Sequence, residues 1–217
     1  MNFEKFKDMF IKNFKWIILF ISIICFLLIA EDVFTHEIMK CDVIGYDLIS
    51  KYIISDNLTK FMKFITSFGG VYILIILTLI LIIFIKNKKV KISVVANLTI
   101  ITILNQALKF ILQRPRPDEY RIINETGYSF PSGHSMISMA FYGFMIYLIY
   151  NHINNKYLKW ILISILSILI FLIGFSRIYL GVHYVSDVLA GFIISIGYLI
   201  LFTSIVFGGK DEKQKNN

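Results

Sequence analysis

Six long apolar segments recur along the chain, and they constrain its fold more than any other feature. They cover residues 14–30, 70–85, 94–112, 132–150, 158–175 and 188–207. Each would form a helix of about 24–30 Å, close to the thickness of a bilayer core. A backbone in hydrocarbon must satisfy its own polar groups, so the spans should be helical. The pattern predicts an all-α, polytopic membrane protein: six transmembrane helices in a bundle, forming one domain over residues 1–217.

Composition supports a membrane protein and argues against a soluble one. The 217 residues are 57% hydrophobic, with a mean hydropathy of +0.73, which is above the range of soluble domains. The net charge of +8 could suggest a nucleic-acid partner, but most lysines flank the apolar segments as membrane anchors do. We therefore expect the lipid bilayer as a partner and no nucleic acid. The composition does not predict the oligomeric state.

The two cysteines and the N-terminal segment add little to this picture. Cys25 lies inside the first apolar segment and Cys41 in the connection after it, so neither a disulfide nor a zinc site is predicted. The basic N-terminal segment resembles the start of a signal peptide. The apolar segment that follows ends without a small-residue cleavage site, so we interpret it as an uncleaved first span.

The distribution of lysines predicts the orientation in the membrane. Lysines concentrate in the N-terminal segment, in the connections after the second and fourth apolar segments, and in the C-terminal segment. The positive-inside rule places these regions, and hence both termini, in the cytoplasm. The connections 31–69, 113–131 and 176–187 would then face outward.

An amphipathic pattern lies in the first of these outer connections. Apolar residues recur there at steps of three and four: Leu58, Phe61, Met62, Ile65 and Phe68. This spacing predicts a helix, either lying in the outer membrane interface between the first two spans or capping the bundle.

Three polar clusters interrupt the apolar pattern, and all of them fall on the predicted outer side. They run from Lys109 to Pro117, from Phe130 to Ser135, and from Ser176 to Asp187. All three prolines of the chain lie within residues 113–131, so this connection should form a rigid loop. Ionisable groups at the edge of apolar segments are costly unless they are paired, and they therefore indicate a functional site.

Two of the clusters suggest a nucleophile and an anion site. His183 and Asp187 are four residues apart at the start of the last helix, and therefore on one face. The carboxylate can hold one ring nitrogen and leave the other free to attack, although an isolated pair of this kind is more often inert. Ser132, Gly133 and His134 begin the fourth helix, where unpaired N–H groups attract anions.

Fixed positive charge would complete a phosphoryl-transfer site. Lys109, Arg116 and Arg177 can bind phosphoryl oxygens, whereas any one of them alone would more often contact a lipid headgroup. Phosphoryl transfer requires such cations, N–H donors and an in-line nucleophile. The clusters supply these groups without a metal-ligand set.

The clusters resemble the signature of the type-2 phosphatidic acid phosphatase and vanadium haloperoxidase superfamily. The motif of Lys, six residues and Arg-Pro is matched by Lys109, Arg116 and Pro117. The motif Pro-Ser-Gly-His is matched by residues 131–134. The motif of Ser-Arg, five residues, His, three residues and Asp is matched by Ser176, Arg177, His183 and Asp187.

This resemblance implies a role for each matched residue. His183 would be the nucleophile that forms a phosphohistidine, oriented by Asp187, and His134 the acid and then the base. The substrate phosphate would be bound by Lys109, Arg116, Ser132, Gly133 and Arg177. No metal and no cofactor are implied. Arg114 belongs to a second Arg-Pro at the wrong spacing, and we interpret it as a surface or headgroup contact.

The implied function is an integral membrane lipid phosphatase of a bacterial cell membrane, with an extracytoplasmic active site. The substrate would be a lipid phosphate or diphosphate of the undecaprenyl diphosphate, phosphatidylglycerophosphate or phosphatidic acid type; no short motif chooses among them. Three alternatives are a lipid phosphotransferase, a vanadate-dependent peroxidase and a non-enzymatic transporter or anion-binding protein. Transporters bind substrates near the midplane, whereas these polar clusters gather at one rim.

Overall fold

The computed structural model describes residues 3–35, 39–118 and 121–214, and the side chains of residues 13–35, 39–118 and 121–208. The described residues form helices and connections, with no β-strand among them. The helices are α1 (Phe3–Phe34), α2 (Lys40–Leu48), α3 (Asp56–Ser67), α4 (Val71–Phe84), α5 (Lys88–Leu112), α6 (Gly133–His152), α7 (Lys156–Tyr179) and α8 (Val185–Gln214). A π-helical turn, Ile49–Ile53, follows α2. The predicted all-helical class is confirmed.

Each predicted apolar segment corresponds to one helix, but fewer than six of the described helices have the length and apolarity of a membrane span. Four of the described helices do: α1, α5, α7 and α8. A fifth results if α3 and α4, which meet at an angle of 49°, form one bent span. α6 is not among them. It carries several polar side chains, including His134, Ser135 and Ser138, which lower its hydropathy.

α6 is the central helix of the bundle. It packs against α5, α7 and α8, and most side chains of its first half are buried, among them Met136, Ala140, Phe141 and Phe144. Polar side chains cost less free energy at this position than at a lipid-facing one, because protein rather than lipid surrounds them. The position at the centre explains why α6 is less apolar than its neighbours.

The outer helices present apolar side chains on their outward faces. Phe20 of α1, Ile83 of α4 and Phe171 of α7 are more than 60% exposed. Large apolar side chains exposed in such numbers would make a soluble protein aggregate, whereas a lipid bilayer accommodates them. α1 packs mainly along α8, which ties the N-terminal helix to the last one.

The predicted amphipathic helix is present as α3. It packs on α7, with Met62 and Ile65 buried and Phe61 exposed. The hydroxyl of Tyr179, at the end of α7, donates to the carbonyl of Ser55 (3.1 Å), just before α3 begins. These contacts join α3 to α7, the helix in which the third motif begins.

Hydrogen bonds hold the proline-rich connection between α5 and α6 together. The Ser129 amide donates to the Arg114 carbonyl (2.9 Å), and the Ser129 hydroxyl donates to the Pro115 carbonyl (2.9 Å). α5 ends at Gln113, whose φ of 46° is left-handed and directs the chain out of the helix before the Arg-Pro pair.

A close contact between α8 and the start of α6 depends on Gly191. A Cβ atom at this position would lie 3.2 Å from the Met136 amide nitrogen and 3.2 Å from the Ser132 carbonyl oxygen. Both atoms belong to the backbone and cannot move away independently. Glycine therefore sets the distance between α8, which carries Asp187, and the Pro-Ser-Gly-His segment.

Candidate active site

The three polar clusters meet at one end of the bundle, around a cavity of about 550 Å³. Each arrives from a different part of the fold: the end of α5 and its following loop, the start of α6, and the connection from α7 to α8. Six predicted site residues line the cavity: Lys109, Arg116, Gly133, His134, Arg177 and His183. Ser132 and Asp187 are buried behind this lining.

His183 is held between a carboxylate and a guanidinium. Its Nδ1 lies 3.2 Å from Oδ2 of Asp187, and its Nε2 lies 3.1 Å from Nη1 of Arg116. The guanidinium can only donate, so Nε2 is the acceptor and carries the lone pair. The proton is then on Nδ1, where the carboxylate accepts it. This tautomer points an unprotonated nitrogen towards the cavity.

The surroundings of His183 also keep its imidazole neutral. Burial lowers its pKa well below the usual value, and the positive charges of Arg177, Arg116 and Lys109 lower it further. The side chain is only 3% exposed. At neutral pH the ring is therefore unprotonated at Nε2, as a nucleophile must be.

Backbone carbonyls of the α5–α6 connection fix two of the cations. Arg116 donates through Nε to Gly127 (3.0 Å) and through Nη2 to Thr126 (3.0 Å). Lys109 donates to the carbonyl of Tyr128 (2.5 Å). Neutral acceptors position these side chains without cancelling their charges. Both cations thus remain able to attract an anion into the cavity.

Arg177 is held by side chains on either side of the cavity. Its Nη2 pairs with Oε1 of Glu125 (2.6 Å) and its Nη1 donates to Oγ1 of Thr66 (2.8 Å). Its Nε is buried and has no hydrogen-bond partner among the described residues. The described residues that line the cavity include three cations and only this one glutamate. The cavity is therefore positive overall and suits a multiply charged anion.

The start of α6 contributes a cap, a small residue and a histidine. Ser132 Oγ accepts hydrogen bonds from the amide (3.4 Å) and the hydroxyl (2.9 Å) of Ser135, so its side chain caps the helix. A Cβ at Gly133 would lie 3.1 Å from Oδ1 of Asn105. The ring of His134 lies on the cavity wall against Gly69, where a Cβ would come within 3.0 Å of it.

Comparisons with known proteins identify the family of the chain. A family model described as the PAP2 superfamily matches residues 90–210, which include all three clusters. The chain belongs to the PAP2 superfamily.

Relatives of this PAP2 protein include proteins that are named as phosphatases. Phosphatidylglycerophosphatase B of Bacillus subtilis is 39% identical over 117 residues, which are 52% of this chain and 54% of that protein. The chain thus matches about half the length of that relative. The undecaprenyl-diphosphatase of Sulfolobus acidocaldarius is 29% identical over 206 residues, 89% of this chain and 91% of that one.

A solved structure shares the fold of the PAP2 chain. It is the transmembrane PAP2-type phosphatidylglycerolphosphate phosphatase from Bacillus subtilis, with a TM-score of 0.76 and 29% sequence identity. The similarity covers 90% of this chain and 96% of that one. The family expected from the three motifs is confirmed, and with it the expectation of a membrane-embedded hydrolase.

One interpretation from the sequence was wrong. Arg114 is not a surface or headgroup contact: it is 6% exposed and forms ion pairs with Asp187 (2.6 Å) and Asp42 (2.7 Å). The spacing from Lys109 only excludes Arg114 from the first motif of the PAP2 signature. It could not show that the loop turns this side chain inward, behind the cavity.

The sequence also did not identify Asp42 and Glu125 as neighbours of the PAP2 motifs. Neither belongs to a motif: Asp42 lies between the first two apolar segments, and Glu125 lies between the third and the fourth. Asp42 is separated from Asp187 by more than half of the chain. Burial of an acidic partner can be inferred only once the arginines are known to be buried, and the sequence does not show which arginines are buried.

Proposed function

We propose that this chain is an integral membrane lipid phosphatase that hydrolyses a lipid phosphate or diphosphate through a phosphohistidine intermediate. The observation that carries the proposal is the neutral Nε2 of His183 beside Arg116 (3.1 Å), in a cavity that Lys109, Arg177 and His134 also line. The names of the relatives support a lipid substrate. Undecaprenyl diphosphate, phosphatidylglycerophosphate and phosphatidic acid are the candidate types.

In the first step, Nε2 of His183 attacks phosphorus in line with the bond to the lipid oxygen. The P–O bond breaks, and His134 as imidazolium transfers its proton to the leaving oxygen. Lys109, Arg116 and Arg177 bind the phosphoryl oxygens, together with the start of α6 at Ser132 and Gly133. Asp187 stabilises the positive charge that develops on the imidazole.

In the second step, water takes the place of the lipid alcohol. His134, now neutral, accepts a proton from the water as its oxygen attacks phosphorus. The P–N bond breaks, inorganic phosphate leaves, and Nε2 of His183 regains its lone pair. No step requires a metal ion or a cofactor.

The proposed arrangement in the membrane is one domain with six spans, in which α6 crosses as the central helix. Both termini face the cytoplasm and the cavity opens at the extracytoplasmic face, where α3 lies along the membrane interface. The positions of the lysines support this orientation, because the positive-inside rule places lysine-rich connections in the cytoplasm. Lys86 lines a cavity with His152, and Lys89 lies 5.4 Å from the ring of Phe207. These residues lie at the end of the bundle opposite the site.

Cys41 provides a test of this orientation, because it is exposed and precedes Asp42 at the same end as the active site. In intact cells that carry a Cys25→Ser variant, a membrane-impermeant maleimide should label Cys41. A Cys25→Ser/Cys41→Ser/Lys89→Cys variant, with its thiol at the opposite end, should react only after permeabilisation. The reverse pattern would place the active site in the cytoplasm.

The function itself is tested by phosphate release from defined lipids. The purified protein in nanodiscs should release inorganic phosphate from at least one of undecaprenyl diphosphate, phosphatidylglycerophosphate and phosphatidic acid, with or without EDTA. A His183→Ala variant provides the background rate. Loss of substrate without phosphate release would indicate transfer to another acceptor. Equal rates for the wild type and the variant with every lipid would overturn the proposal.

A further inference from the structure

Arg114 joins two carboxylates behind the candidate active site. Its Nη1 lies 2.6 Å from Oδ1 of Asp187, and its Nη2 lies 2.7 Å from Oδ2 of Asp42. Its guanidinium carbon lies 4.1 Å from the ring centroid of Tyr184. Arg114 does not line the catalytic cavity, so it acts on any substrate there only through other residues.

The contacts of Asp187 are divided between its two oxygens. Oδ1 faces Arg114, whereas Oδ2 accepts from the Tyr184 amide (3.0 Å) and lies 3.2 Å from Nδ1 of His183. A carboxylate held at one oxygen by an arginine cannot rotate about its own axis. The orientation of His183 therefore depends on Arg114 through Asp187.

Asp42 holds the other side of Arg114 and also the start of α8. Its Oδ1 accepts from the Ser186 amide (2.8 Å), and its Oδ2 accepts from the Ser186 hydroxyl (2.7 Å). Asp42 is only 2% exposed and belongs to α2, outside the residues 90–210 that the family model matches. A part of the chain remote from the three motifs thus reaches their innermost residues.

The electrostatics favour a permanently charged link. Burial acts to lower the pKa of Arg114, but Asp187 and Asp42 outweigh it and the pKa is raised. A guanidinium can contact two carboxylates at once because its donors form a planar fork, whereas an ammonium is a point charge. A buried ion pair stabilises little by itself, but loss of one partner leaves a costly unpaired charge.

We propose that Arg114 and Asp42 are positioning residues of the phosphatase reaction, which fix the Asp187 carboxylate so that Nε2 of His183 points at phosphorus. The inference rests on the proposed function. Asp187 must stabilise positive charge on the imidazole as the P–N bond forms, and Arg114 keeps one of its oxygens available for that purpose. Asp42 fixes Arg114 and, through Ser186, the helix turn that bears Asp187.

The test compares Arg114→Lys, Asp42→Asn and the double variant Arg114→Met/Asp42→Asn. We expect kcat to fall about 10–100-fold, as for other residues that orient a functional histidine from outside the site, with KM changed less than about threefold. Asp42→Asn should have the smallest effect, because Arg114 retains Asp187. Arg114→Met alone leaves the buried Asp42 carboxylate unpaired. If that variant does not fold, the double variant takes its place, because it removes both charges.

Two inhibitors separate orientation of the histidine from damage to the cavity. Inorganic phosphate needs only the cations of the cavity, so its inhibition constant should not change. Orthovanadate forms a fifth bond to the nucleophile, so its inhibition should weaken in parallel with kcat. Equal weakening of phosphate and vanadate, or a change confined to KM, would reduce Arg114 to a structural role and overturn the inference.

A matched control lies in the same loop. Arg121 pairs with Asp118, and both side chains are far more exposed than Arg114 and Asp42. Arg121→Met and Asp118→Asn should leave kcat and vanadate inhibition unchanged. A wild type that releases no phosphate refutes the proposed function instead, whereas an active wild type with fully active Arg114 variants refutes only this inference.

Discussion

Replacement of His183 by alanine is expected to abolish phosphate release, with a loss of about 10⁴-fold or more. The ring presents an unprotonated nitrogen to the cavity, 3.1 Å from Arg116, while Asp187 holds its other nitrogen at 3.2 Å. Without it, the cations can still bind the substrate phosphate. KM, or the affinity for inorganic phosphate, should therefore change much less than kcat.

The intermediate offers a direct measurement of the same role. Rapid quenching of the wild type during turnover should yield a phosphoenzyme that is stable to base and labile to acid, as phosphoramidates are, and His183→Ala should yield none. His152 is a suitable control because it is exposed and its Nδ1 contacts the carbonyl of Leu148 (2.9 Å), at the opposite end of the bundle. A variant at His183 that keeps full activity would rule out the assigned nucleophile.

Replacement of His134 by asparagine should divide the reaction into its two halves. With a lipid phosphate, loss of the acid should lower the rate about 10²–10⁴-fold. A nitrophenyl phosphate has a leaving group that needs no proton, so transfer of its phosphoryl group to His183 should still occur. Water should then remain unactivated. We expect one equivalent of nitrophenolate per active site in a burst, followed by very slow turnover.

The burst distinguishes an acid and base from a binding residue. A residue that only binds phosphate would, when replaced, slow both substrates and leave no burst. Ser138→Ala is a structural control on the next turn of α6, because the Ser138 hydroxyl is buried without a hydrogen-bond partner among the described residues. Steady turnover of nitrophenyl phosphate by His134→Asn at the wild-type rate would contradict the role of His134 as the base.

The helices and the family were predictable from the sequence because both depend on local patterns. Long apolar segments form helices wherever water is excluded, and every one of the six predicted segments corresponds to a helix. The three motifs specified the family because each places several chemical groups at fixed separations. His183 and Asp187 illustrate this, since a spacing of four residues at a helix start leads to the contact of 3.2 Å.

Predictions that depend on the surroundings of a residue were not all confirmed. The six-span bundle stays a prediction, because α6 is central and carries polar side chains, and it is not among the described helices that are long and apolar enough to cross a membrane. Arg114 was wrongly placed at the surface because a charged residue beside prolines usually faces solvent. Its burial follows from Asp42 and Asp187, which lie on different helices and compensate its charge together.

The sequence by itself determined the helical class, the family and the residues of the three motifs, since these follow from hydropathy and from short-range spacing. Only the tertiary structure decided which residues support those motifs from behind. A buried guanidinium is tolerated where two carboxylates converge on it, and convergence of α2, the α5–α6 connection and α8 is a property of the folded bundle. The number of residues between these three segments does not predict that they meet.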